Sequence, residues 1–423
     1  MVCSRASIIM STKIENMDLV VSQLPSGATY SEFLTENARQ RGQTWLIKNK
    51  RLGYGIVKYE DAKAFLRNPK LQQAGHSTTK VYAGTGTIFD DIEDVIDLSH
   101  LEGKDHHRIR RIVASSFSSK SIDKLRPFMR DHVQDIVDKL HLSSDSISFE
   151  FQEAFESYPA AIICHHLGVP VKDWKLFNHW SSILPLRWTG FIVGREQEYV
   201  DTAMEFINYC QNLIDEKRTN PSDDLVSMFI QTADEEDTLS NNEIMGLIVG
   251  LITGGIDTVR NQLATMMSVI IESPETFQTL KKDNSLIENA VEESFRYKKI
   301  FRTVARQVAE EFEYKGVIFS PGQIITISLA SSDHDESIFA NPDEFIIDRE
   351  NASKHLSFSN GIHTCLGSIL ARAELQEALR VFVKNWSSIK LNGEEQWKDF
   401  RIPFWGPETL PLNVVRESSF IHH

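Results

Sequence analysis

The chain has 423 residues, of which 41% are hydrophobic and 25% are charged, and its formal net charge is −14 at pH 7. This composition is typical of a soluble globular protein, and the negative charge argues against nucleic acid as a partner. No segment approaches the ~18–20 consecutive apolar residues that a membrane span requires, so we expect no membrane association.

The first 18 residues form an N-terminal extension that we expect to be flexible, and residues 19–423 a single domain. The opening segment is too short and too polar for a signal peptide. The cysteines show no paired spacing, which indicates a reducing compartment and not a disulfide framework. We therefore expect a cytoplasmic protein. The four cysteines are Cys3, Cys164, Cys210 and Cys365.

Short strands are predicted first, over residues 40–70, where TWLIKNKRLGYGIVKY contains a turn at Leu52-Gly53. Helical periodicity then dominates residues 100–295. Two helices are clear within it, at residues 128–142 and 240–274. The second is long and apolar on nearly all faces in its first half, so we expect it to run through the middle of the fold.

Glycines and polar residues interrupt this central helix in the segment Gly254-Gly255-Ile256-Asp257-Thr258. Each glycine costs about 1 kcal/mol relative to alanine in a helix interior. Two interpretations remain open from this segment alone. Either the helix crosses another one and needs small residues there, with Asp257 paired to an arginine, or it kinks to admit a flat ligand against its backbone.

A second strand-rich zone is predicted at residues 300–330, where FEYKGVIF and QIITISLA flank a hairpin-type turn at Ser320-Pro321-Gly322. The last helical zone covers residues 365–390. Its apolar residues fall on one stripe at 3.6-residue spacing, from Leu366 through Leu370 to Phe382. The predicted fold class is therefore mainly α with small β-sheets (α+β).

Cys365 lies in the loop FSNGIHTCLG, immediately before this last helix. Unsatisfied N–H groups and the positive end of the macrodipole favour an anion at a helix N-terminus. We therefore expect an unusually acidic thiol. A thiolate in such a place serves as a nucleophile, a zinc ligand or an iron ligand.

Three separated segments together resemble the cytochrome P450 family, and the resemblance is closest to the soluble bacterial type. They match its haem-binding loop, its Glu-x-x-Arg helix motif and its oxygen-activating segment, in the family's order along the chain. The resemblance covers residues 20–415. The three segments are Phe358-x-x-Gly361-x-His363-x-Cys365-x-Gly367, Glu293-Ser294-Phe295-Arg296 and Gly254-Gly255-x-Asp257-Thr258.

This resemblance implies a single P450-type fold in which haem b lies between the long central helix and the helix after the cysteine loop. Cys365 would be the axial thiolate ligand of the iron, which favours O–O cleavage. Gly361 and Gly367 would let the backbone approach the porphyrin, and Phe358 would pack beside the sulfur. The remaining haem contacts would be the propionate partners and two helix glycines: His106 (or His107), Arg110, Arg306, His363, Gly254 and Gly255.

Glu293 and Arg296 are expected to be structural. The resemblance implies a buried ionic cluster with Arg349, which ends the segment Pro342-x-x-Phe345-x-x-x-Arg349. Removing one partner of such a cluster costs roughly 3–5 kcal/mol, so we expect its loss to prevent haem incorporation.

The implied function is a monooxygenase (EC 1.14) that hydroxylates or epoxidises a small, largely apolar organic substrate, in natural-product or terpenoid metabolism. Thr258 and Asp257 would deliver protons to dioxygen. Arg302 would suit a substrate with a carboxylate or phosphate group. The substrate pocket would be formed by Val249, Arg302, Phe404 and the stretches 80–100, 184–194, 249–254, 300–304 and 403–405.

Electrons would come indirectly from NAD(P)H through a ferredoxin- or flavodoxin-type partner. Residues 104–130 contain eight basic and two acidic residues, which would form a basic face on the thiolate side of the haem and attract an acidic protein. The alternative for this segment is an ordinary solvated helix face with one propionate ligand.

The sequence departs from the family pattern in two places. No proline follows the Glu-x-x-Arg helix, between Tyr297 and Arg306, and the common Asn-Arg-Asp segment is Asp333-His334-Asp335.

Alternative functions are a haem-thiolate enzyme of another type, such as a peroxygenase or nitrating enzyme, and a haem-based sensor. The Asp257-Thr258 pair argues against the first, and no output domain or helix-turn-helix signal supports the second. A zinc site on His363 and Cys365 would lack two further ligands at typical spacing.

Overall fold

The computed structural model describes residues 11–23, 28–49, 53–74, 101–142, 144–188, 192–236, 239–399 and 404–417. The α-helices in these ranges are α1 (Tyr30–Gln43), α2 (Tyr59–Leu66), α3 (Gly103–Ala114), α4 (Ser119–Asp123), α5 (Arg126–Leu140), α6 (Phe151–Ala154), α7 (Ser157–Leu167), α8 (Trp174–Ile183), α9 (Glu196–Thr219), α10 (Leu225–Glu236), α11 (Asn241–Gly255), α12 (Asp257–Glu272), α13 (Pro274–Lys282), α14 (Ile287–Tyr297), α15 (Leu329–Ser332) and α16 (Ser368–Asn385).

The strands in the same ranges are short. They are β1 (Thr12–Lys13), β2 (Val20–Val21), β3 (Leu46–Asn49), β4 (Gly53–Ile56), β5 (Leu71–Gln73), β6 (Ser146–Glu150), β7 (Thr303–Val308), β8 (Phe312–Tyr314), β9 (Val317–Phe319), β10 (Ile324–Ser328), β11 (Trp386–Leu391), β12 (Gln396–Trp397), β13 (Pro407–Thr409) and β14 (Pro411–Arg416).

Local capping signals set several helix boundaries. The Thr29 hydroxyl accepts a hydrogen bond from the Glu32 N–H (3.2 Å), and the Glu32 carboxylate accepts one from the Thr29 N–H (2.8 Å) at the start of α1. Ser240 and Glu243 form the same capping box at the start of α11. Both boxes satisfy N–H groups that a helix start leaves unpaired.

The predicted central helix consists of α11 and α12, which meet at Ile256. Helical hydrogen bonding continues through the junction, since the Ile256 N–H donates to the Ile252 carbonyl oxygen (3.3 Å). An added Cβ on Gly255 would lie 2.7 Å from Cδ1 of Ile163 in α7, whereas one on Gly254 would meet no atom within 4 Å. Gly255 therefore allows the close approach of α7, as the helix-crossing interpretation requires. Gly254 leaves open space beside the helix, as the flat-ligand interpretation requires.

Within the described residues, Asn241–Glu272 is the one stretch long and apolar enough to cross a membrane, by length and composition alone. Of its most apolar window, 56% is buried inside the fold. The two helices pack against α7, α8, α14 and α16. These contacts make the pair a core element of the fold, as predicted.

The strands form small sheets beside the helices. The largest sheet has the order β2–β3–β4–β10–β7–β5, and the others are β1–β9–β8, β11–β14–β6 and β12–β13. The hairpin predicted at Ser320–Gly322 is wrong, because the flanking strands β9 and β10 join different sheets. The tight hairpin is β8–β9, where Lys315 and Gly316 have φ angles of 51° and 78°, as a type I′ turn requires.

The prediction that residues 1–18 form a flexible extension is wrong for their second half. Thr12 and Lys13 pair in parallel with Val317 and Ile318 of β9. Ile14 is only 1% exposed and belongs to the hydrophobic core of the sheet region. Pairing with a sheet edge and burial both fix a terminal segment in place. Residues 1–10 lie outside the described residues.

The described residues contain two hydrophobic cores. The larger one joins α3 to α14 with α16 and includes Val113 and Ile163, and the smaller one packs the sheet region and includes Leu329. These three side chains all line one cavity, which therefore lies between the two cores.

Candidate functional site

A cavity of about 450 Å³ lies where the central helix pair meets the loop before α16. The helices contribute Gly250, Gly254 and Thr258 to its wall, and the loop contributes Phe358 and Cys365. Much of the remaining wall is apolar, as in Phe117, Ile163, Phe229, Leu251, Phe301 and Val304.

Backbone hydrogen bonds close the loop that carries the cysteine. The Cys365 N–H donates to the Phe358 carbonyl oxygen (2.9 Å), and the Thr364 N–H donates to the Gly361 carbonyl oxygen (3.1 Å). The Asn360 side-chain oxygen accepts from the Gly361 N–H (2.9 Å). Helix α16 begins at Ser368, three residues after the predicted start of the helical zone at residue 365, and Cys365 lies in the loop before it.

The two loop glycines are required for different reasons. Gly361 has a φ of 80°, and an added Cβ would lie 2.6 Å from the carbonyl oxygen of Leu66 at the end of α2. Glycine is therefore required here to make room for α2, and its predicted role beside the porphyrin stays a prediction. Gly367 lines the cavity and has no atom within 4 Å of an added Cβ, so close approach of a flat ring to Gly367 stays a prediction.

The thiol of Cys365 is exposed to the cavity although it lies deep in the protein. Burial raises the pKa of this thiol, and the Gly367 N–H, Arg110 and Arg372 offset the increase only in part. The expectation of an unusually acidic thiol is thus wrong for the protein alone, since desolvation outweighs the nearby positive groups. A bound metal ion would favour the thiolate directly.

Basic side chains border the same cavity. His106, Arg110 and His363 line it, and the His106 and His363 ring centroids are 4.5 Å apart. Nδ1 of His106 is buried without a hydrogen-bond partner among the described residues. Burial, followed by the charge of His363, lowers the pKa of His106 to about 4. Nε2 of His363 lies 3.1 Å from the Glu102 carboxylate.

Arg306 lies just behind this wall and is 3% exposed. Its guanidinium donates to the Gln73 side-chain oxygen (2.7 Å) and the Ser359 hydroxyl (3.5 Å), and both of these residues line the cavity. No carboxylate in the described ranges forms an ion pair with it. Burial lowers the pKa of Arg306 to about 10. A buried guanidinium with neutral partners is suited to an anion from outside the chain.

These residues fit a planar cofactor that carries a metal ion and carboxylates, as haem does. Cys365 provides a sulfur ligand in the wall, and Gly254 and Gly367 leave open space where a ring needs it. The unpartnered Nδ1 of His106 and the buried charge of Arg306 provide donors for carboxylates. Among the described residues, the Glu102 carboxylate opposes this assignment, because it contacts His363 and lies close enough to raise the pKa of Arg306.

Of the two residues predicted to deliver protons, only Thr258 lines the cavity. Its hydroxyl donates to the Gly254 carbonyl oxygen (2.5 Å), one turn earlier. Asp257 is not among the lining residues, and its carboxylate is paired with Arg260 at 2.5 Å. The arginine partner considered for Asp257 from the sequence is therefore present, while its role in proton delivery stays a prediction.

Glu374 is a lining residue that the sequence analysis missed. It is fully buried, and neither carboxylate oxygen has a partner among the described residues. Burial raises the pKa of Glu374 well above 4.5, which favours the neutral form of the carboxyl. One signal could have identified it: Glu374 lies four residues after Leu370, on the predicted apolar stripe of α16.

The structure brings together the three residues of the predicted ionic cluster. Glu293 and Arg296 are 0% exposed, and their carboxylate and guanidinium meet in two contacts of 2.8 and 2.9 Å. Nε of Arg349 lies 3.0 Å from the same carboxylate. Arg296 also donates to the carbonyl oxygens of Asp333, Pro342 and Glu344, so the cluster ties α14 to the segment before the cysteine loop.

Of the predicted substrate pocket, the stretch 300–304 contributes Ile300, Phe301 and Val304 to the cavity wall, whereas the three residues named singly do not line it. Val249 is buried, and Arg302 has its guanidinium 5.4 Å from the Trp405 ring centroid. Phe404 contacts Phe301, a lining residue, with ring centroids 5.8 Å apart. On α11 the lining residues are Leu247, Gly250, Leu251 and Gly254, so the predicted stretch 249–254 contributes to the wall through three residues, but not through Val249. Residues 80–100, 189–191 and 403 of the predicted pocket lie outside the described residues.

A cysteine in the wall of a cavity for a flat ring, with buried cations beside it, defines a protein of the haem-thiolate class. The family model described as Cytochrome P450 matches residues 169–404. The chain belongs to the cytochrome P450 family, as a bacterial-type member, and is a monooxygenase that uses haem and O2.

Relatives and solved structures agree with this assignment. Mycinamicin IV hydroxylase/epoxidase of Micromonospora griseorubida is 29% identical over 368 residues, covering 84% of this chain and 88% of that protein. Cytochrome P450 monooxygenase PikC of Streptomyces venezuelae is 28% identical over 383 residues, covering 87% and 86%. P450BioI, solved with hexadec-9Z-enoic acid-ligated acyl carrier protein, has a TM-score of 0.81 at 26% identity, covering 91% of this chain and 100% of that one. The predicted fold class is confirmed.

Proposed function

We propose that this monooxygenase binds haem b through Cys365 and oxidises a small, largely apolar molecule, by hydroxylation or epoxidation. The cavity with Cys365 in its wall carries the proposal. Haem supplies the oxidative chemistry when it is bound. Its two propionates would be held by His106, Arg110, Arg306 and His363, of which Arg306 is buried and donates hydrogen bonds only to neutral groups.

The chain's own residues would exclude water and control protons. Phe358 packs between the Phe295 ring and the Arg372 guanidinium, with centroid distances of 4.7 and 4.4 Å, which supports a role in shielding the sulfur. The Thr258 hydroxyl borders the cavity and would pass a proton into it after leaving the Gly254 carbonyl. Asp257 would be the upstream donor, and for this its carboxylate has to turn away from Arg260.

An apolar substrate agrees with the wall beside the central helix. Phe117, Leu251, Phe301 and Val304 line it, and Gly250 adds no side chain. Two curated relatives, the mycinamicin IV hydroxylase/epoxidase and PikC, support natural-product metabolism.

We further propose that an acidic ferredoxin- or flavodoxin-type protein delivers electrons from NAD(P)H in the cytoplasm. In the basic segment 104–130, Arg108, Arg126 and Arg130 are already paired with carboxylates, and Arg110 with a backbone carbonyl. Four exposed cations form no ion pair with the described residues: Lys104, Arg111, Lys120 and Lys124. These four would attract an acidic partner.

The test is the carbon-monoxide difference spectrum of the reduced, haem-loaded protein. Wild type should show the strongly red-shifted Soret band of a thiolate ligand, and Cys365→His should lose that band while binding haem. Cys210→Ser is the matched control, since Cys210 is buried in the helical core. A spin-state titration with apolar compounds then identifies the substrate class. An unchanged band in Cys365→His would refute the ligand assignment.

A further inference from the structure

A buried lysine follows α14 and reaches toward the cysteine loop. Lys299 is 1% exposed, and its ammonium pairs with the Asp333 carboxylate. The same ammonium donates to the Phe295 carbonyl oxygen (2.9 Å) and to the Ser357 hydroxyl (2.5 Å). An ammonium has three donors, and all three of them are used here.

The Asp333 side of this pair also reaches the loop segment. Both Asp333 carboxylate oxygens accept the Leu356 N–H at 2.9 Å. The Ser357 hydroxyl in turn donates to the Phe295 carbonyl oxygen (2.7 Å). The pair therefore fixes both Leu356 and Ser357, the two residues that precede Phe358.

Phe358 connects this segment to the cysteine. Its carbonyl oxygen accepts the Cys365 N–H (2.9 Å), and its ring lies in the cavity wall together with Ser357, Lys299 and Cys365. A displacement of residues 356–358 would thus move both the acceptor for the Cys365 backbone and the ring beside the sulfur.

The Lys299–Asp333 ion pair joins the two segments in which the sequence departs from the family pattern. Lys299 lies in the proline-free segment after the Glu-x-x-Arg motif, and Asp333 stands where the family commonly has asparagine. A buried carboxylate requires a counter-charge, and Lys299 supplies it. Burial lowers the pKa of Lys299, and the adjacent Asp333 carboxylate offsets part of that decrease.

We propose that Lys299 and Asp333 act as a matched pair of positioning residues that hold residues 356–358, and through Phe358 the Cys365 loop, in the geometry that ligates haem iron. This inference rests on the proposed role of Cys365. A purely stabilising ion pair would affect only folding. The proposed role requires that the iron ligation changes when the contacts that hold residues 356–358 are lost, even if the protein stays well folded.

The experiment compares four variants of the full, haem-loaded chain with wild type. Lys299→Met removes the ammonium's contacts with Asp333, Phe295 and Ser357 but leaves the Leu356 N–H on the Asp333 carboxylate. Ser357→Ala removes the hydroxyl that accepts from Lys299 and donates to the Phe295 carbonyl oxygen. Lys299→Met/Asp333→Asn removes both charges and leaves no buried ion unpaired. Lys298→Met is the matched control, since Lys298 lies over the Trp397 ring and contacts Glu272, away from the loop. The readouts are the reduced carbon-monoxide spectrum, the iron reduction potential, haem loss to excess apomyoglobin and the thermal unfolding midpoint.

In Lys299→Met we expect the thiolate Soret band to be replaced by the band of haem without a thiolate ligand. We also expect haem loss to be roughly tenfold faster, because the variant leaves a buried charge unpaired. The double variant should regain most of its thermal stability but keep the altered spectrum and potential. Ser357→Ala should show a smaller spectral change at a nearly unchanged unfolding midpoint. Lys298→Met should match wild type throughout.

A double variant and a Ser357→Ala variant with wild-type spectrum and potential would overturn the proposal, whatever the stability of Lys299→Met. An equal spectral change in Lys298→Met would also overturn it. A wild-type protein without the thiolate band would instead refute the assignment of Cys365, so the two failures are distinguishable. If Lys299→Met does not fold, the double variant and Ser357→Ala still decide the question.

Discussion

A carboxylate oxygen of Asp257 lies 2.5 Å from the guanidinium of Arg260, one turn further along α12. The two side chains are 14% and 22% exposed, so the pair is partly shielded from solvent. Lys398 is close enough that Asp257 raises its pKa, against a larger decrease caused by burial. The carboxylate therefore has cationic neighbours, and it reaches the cavity only if it leaves them.

Variants of this ion pair can distinguish proton delivery by Asp257 from stabilisation of the fold by the ion pair. If Asp257 delivers protons, Asp257→Asn should lower turnover roughly tenfold or more, because positioned acid–base groups contribute ~10²–10⁴-fold, and should raise the solvent isotope effect. Arg260→Gln breaks the same ion pair but keeps the carboxylate, so its turnover should stay near wild type. Equal losses of turnover in the two variants would show that Asp257 acts only through the ion pair.

The Thr258 hydroxyl is expected to control how efficiently reducing equivalents are used. Thr258→Ala removes the hydroxyl that borders the cavity, so NAD(P)H should be consumed mainly to form peroxide, with little product. The measurement is product and peroxide formed per NAD(P)H. Thr253→Ala is the control on the same helix pair, since the Thr253 hydroxyl donates to the Val249 carbonyl oxygen away from the cavity wall. Product yields that are equal in both variants would contradict the prediction.

Glu374 should make stability depend on pH. Its pKa is raised by burial well above 4.5, so the folded state binds this proton more tightly than the unfolded chain. The stabilising contribution is complete below the unfolded pKa near 4.5 and is lost as pH rises toward the folded pKa.

The free energy of unfolding of Glu374→Gln should therefore exceed that of wild type by an amount that grows as pH rises from about 4.5. Denaturant titrations across this range measure the difference. The control is Glu288→Gln, since the Glu288 side chain is 68% exposed beside Arg380. A difference between wild type and Glu374→Gln that is constant with pH would mean that the Glu374 pKa is not raised in the folded protein.

Electron transfer from an acidic partner should depend on the exposed cations of α3 and α4. A Lys104→Glu/Lys120→Glu variant should bind such a partner more slowly and lose most of the salt dependence of the association rate, because rim charges act mainly on association. Stopped-flow reduction at several ionic strengths measures this. Lys390→Glu is the control, because it makes the same lysine-to-glutamate change on β11, outside the basic segment. Unchanged salt dependence in the double variant would place the docking surface elsewhere.

Features that depend on a few neighbouring residues were predictable from the sequence. The capping residues, the interrupted central helix and the cysteine loop all have local signals, and the ionic cluster of Glu293 with Arg349 followed from the family resemblance. Features that depend on distant contacts were not. Gly361 is needed because of Leu66, far away in the sequence, and no local pattern reveals that neighbour.

The same limitation explains the other differences. A strand–turn–strand pattern at residues 317–328 cannot show that the second strand pairs with β4 and β7 instead of β9. The thiol of Cys365 lies near positive groups, as expected, but the depth at which the fold places it reverses the direction of the pKa shift. Val249 does not line the cavity, although Gly250, Leu251 and Gly254 of the same predicted stretch do, because a nearly all-apolar helix does not show which side meets the cavity.

The position of the cavity between two separate hydrophobic cores has a consequence for assembly. A molecule that fills it touches Val113 and Ile163 on one side and Leu329 on the other. Such a ligand binds only when both cores are folded and adjacent. Its binding free energy therefore stabilises the folded state of the whole chain and makes the two cores unfold together. The bound cofactor would therefore hold the two cores together, and heating should release it in the same transition that separates the helical core from the core of the sheet region.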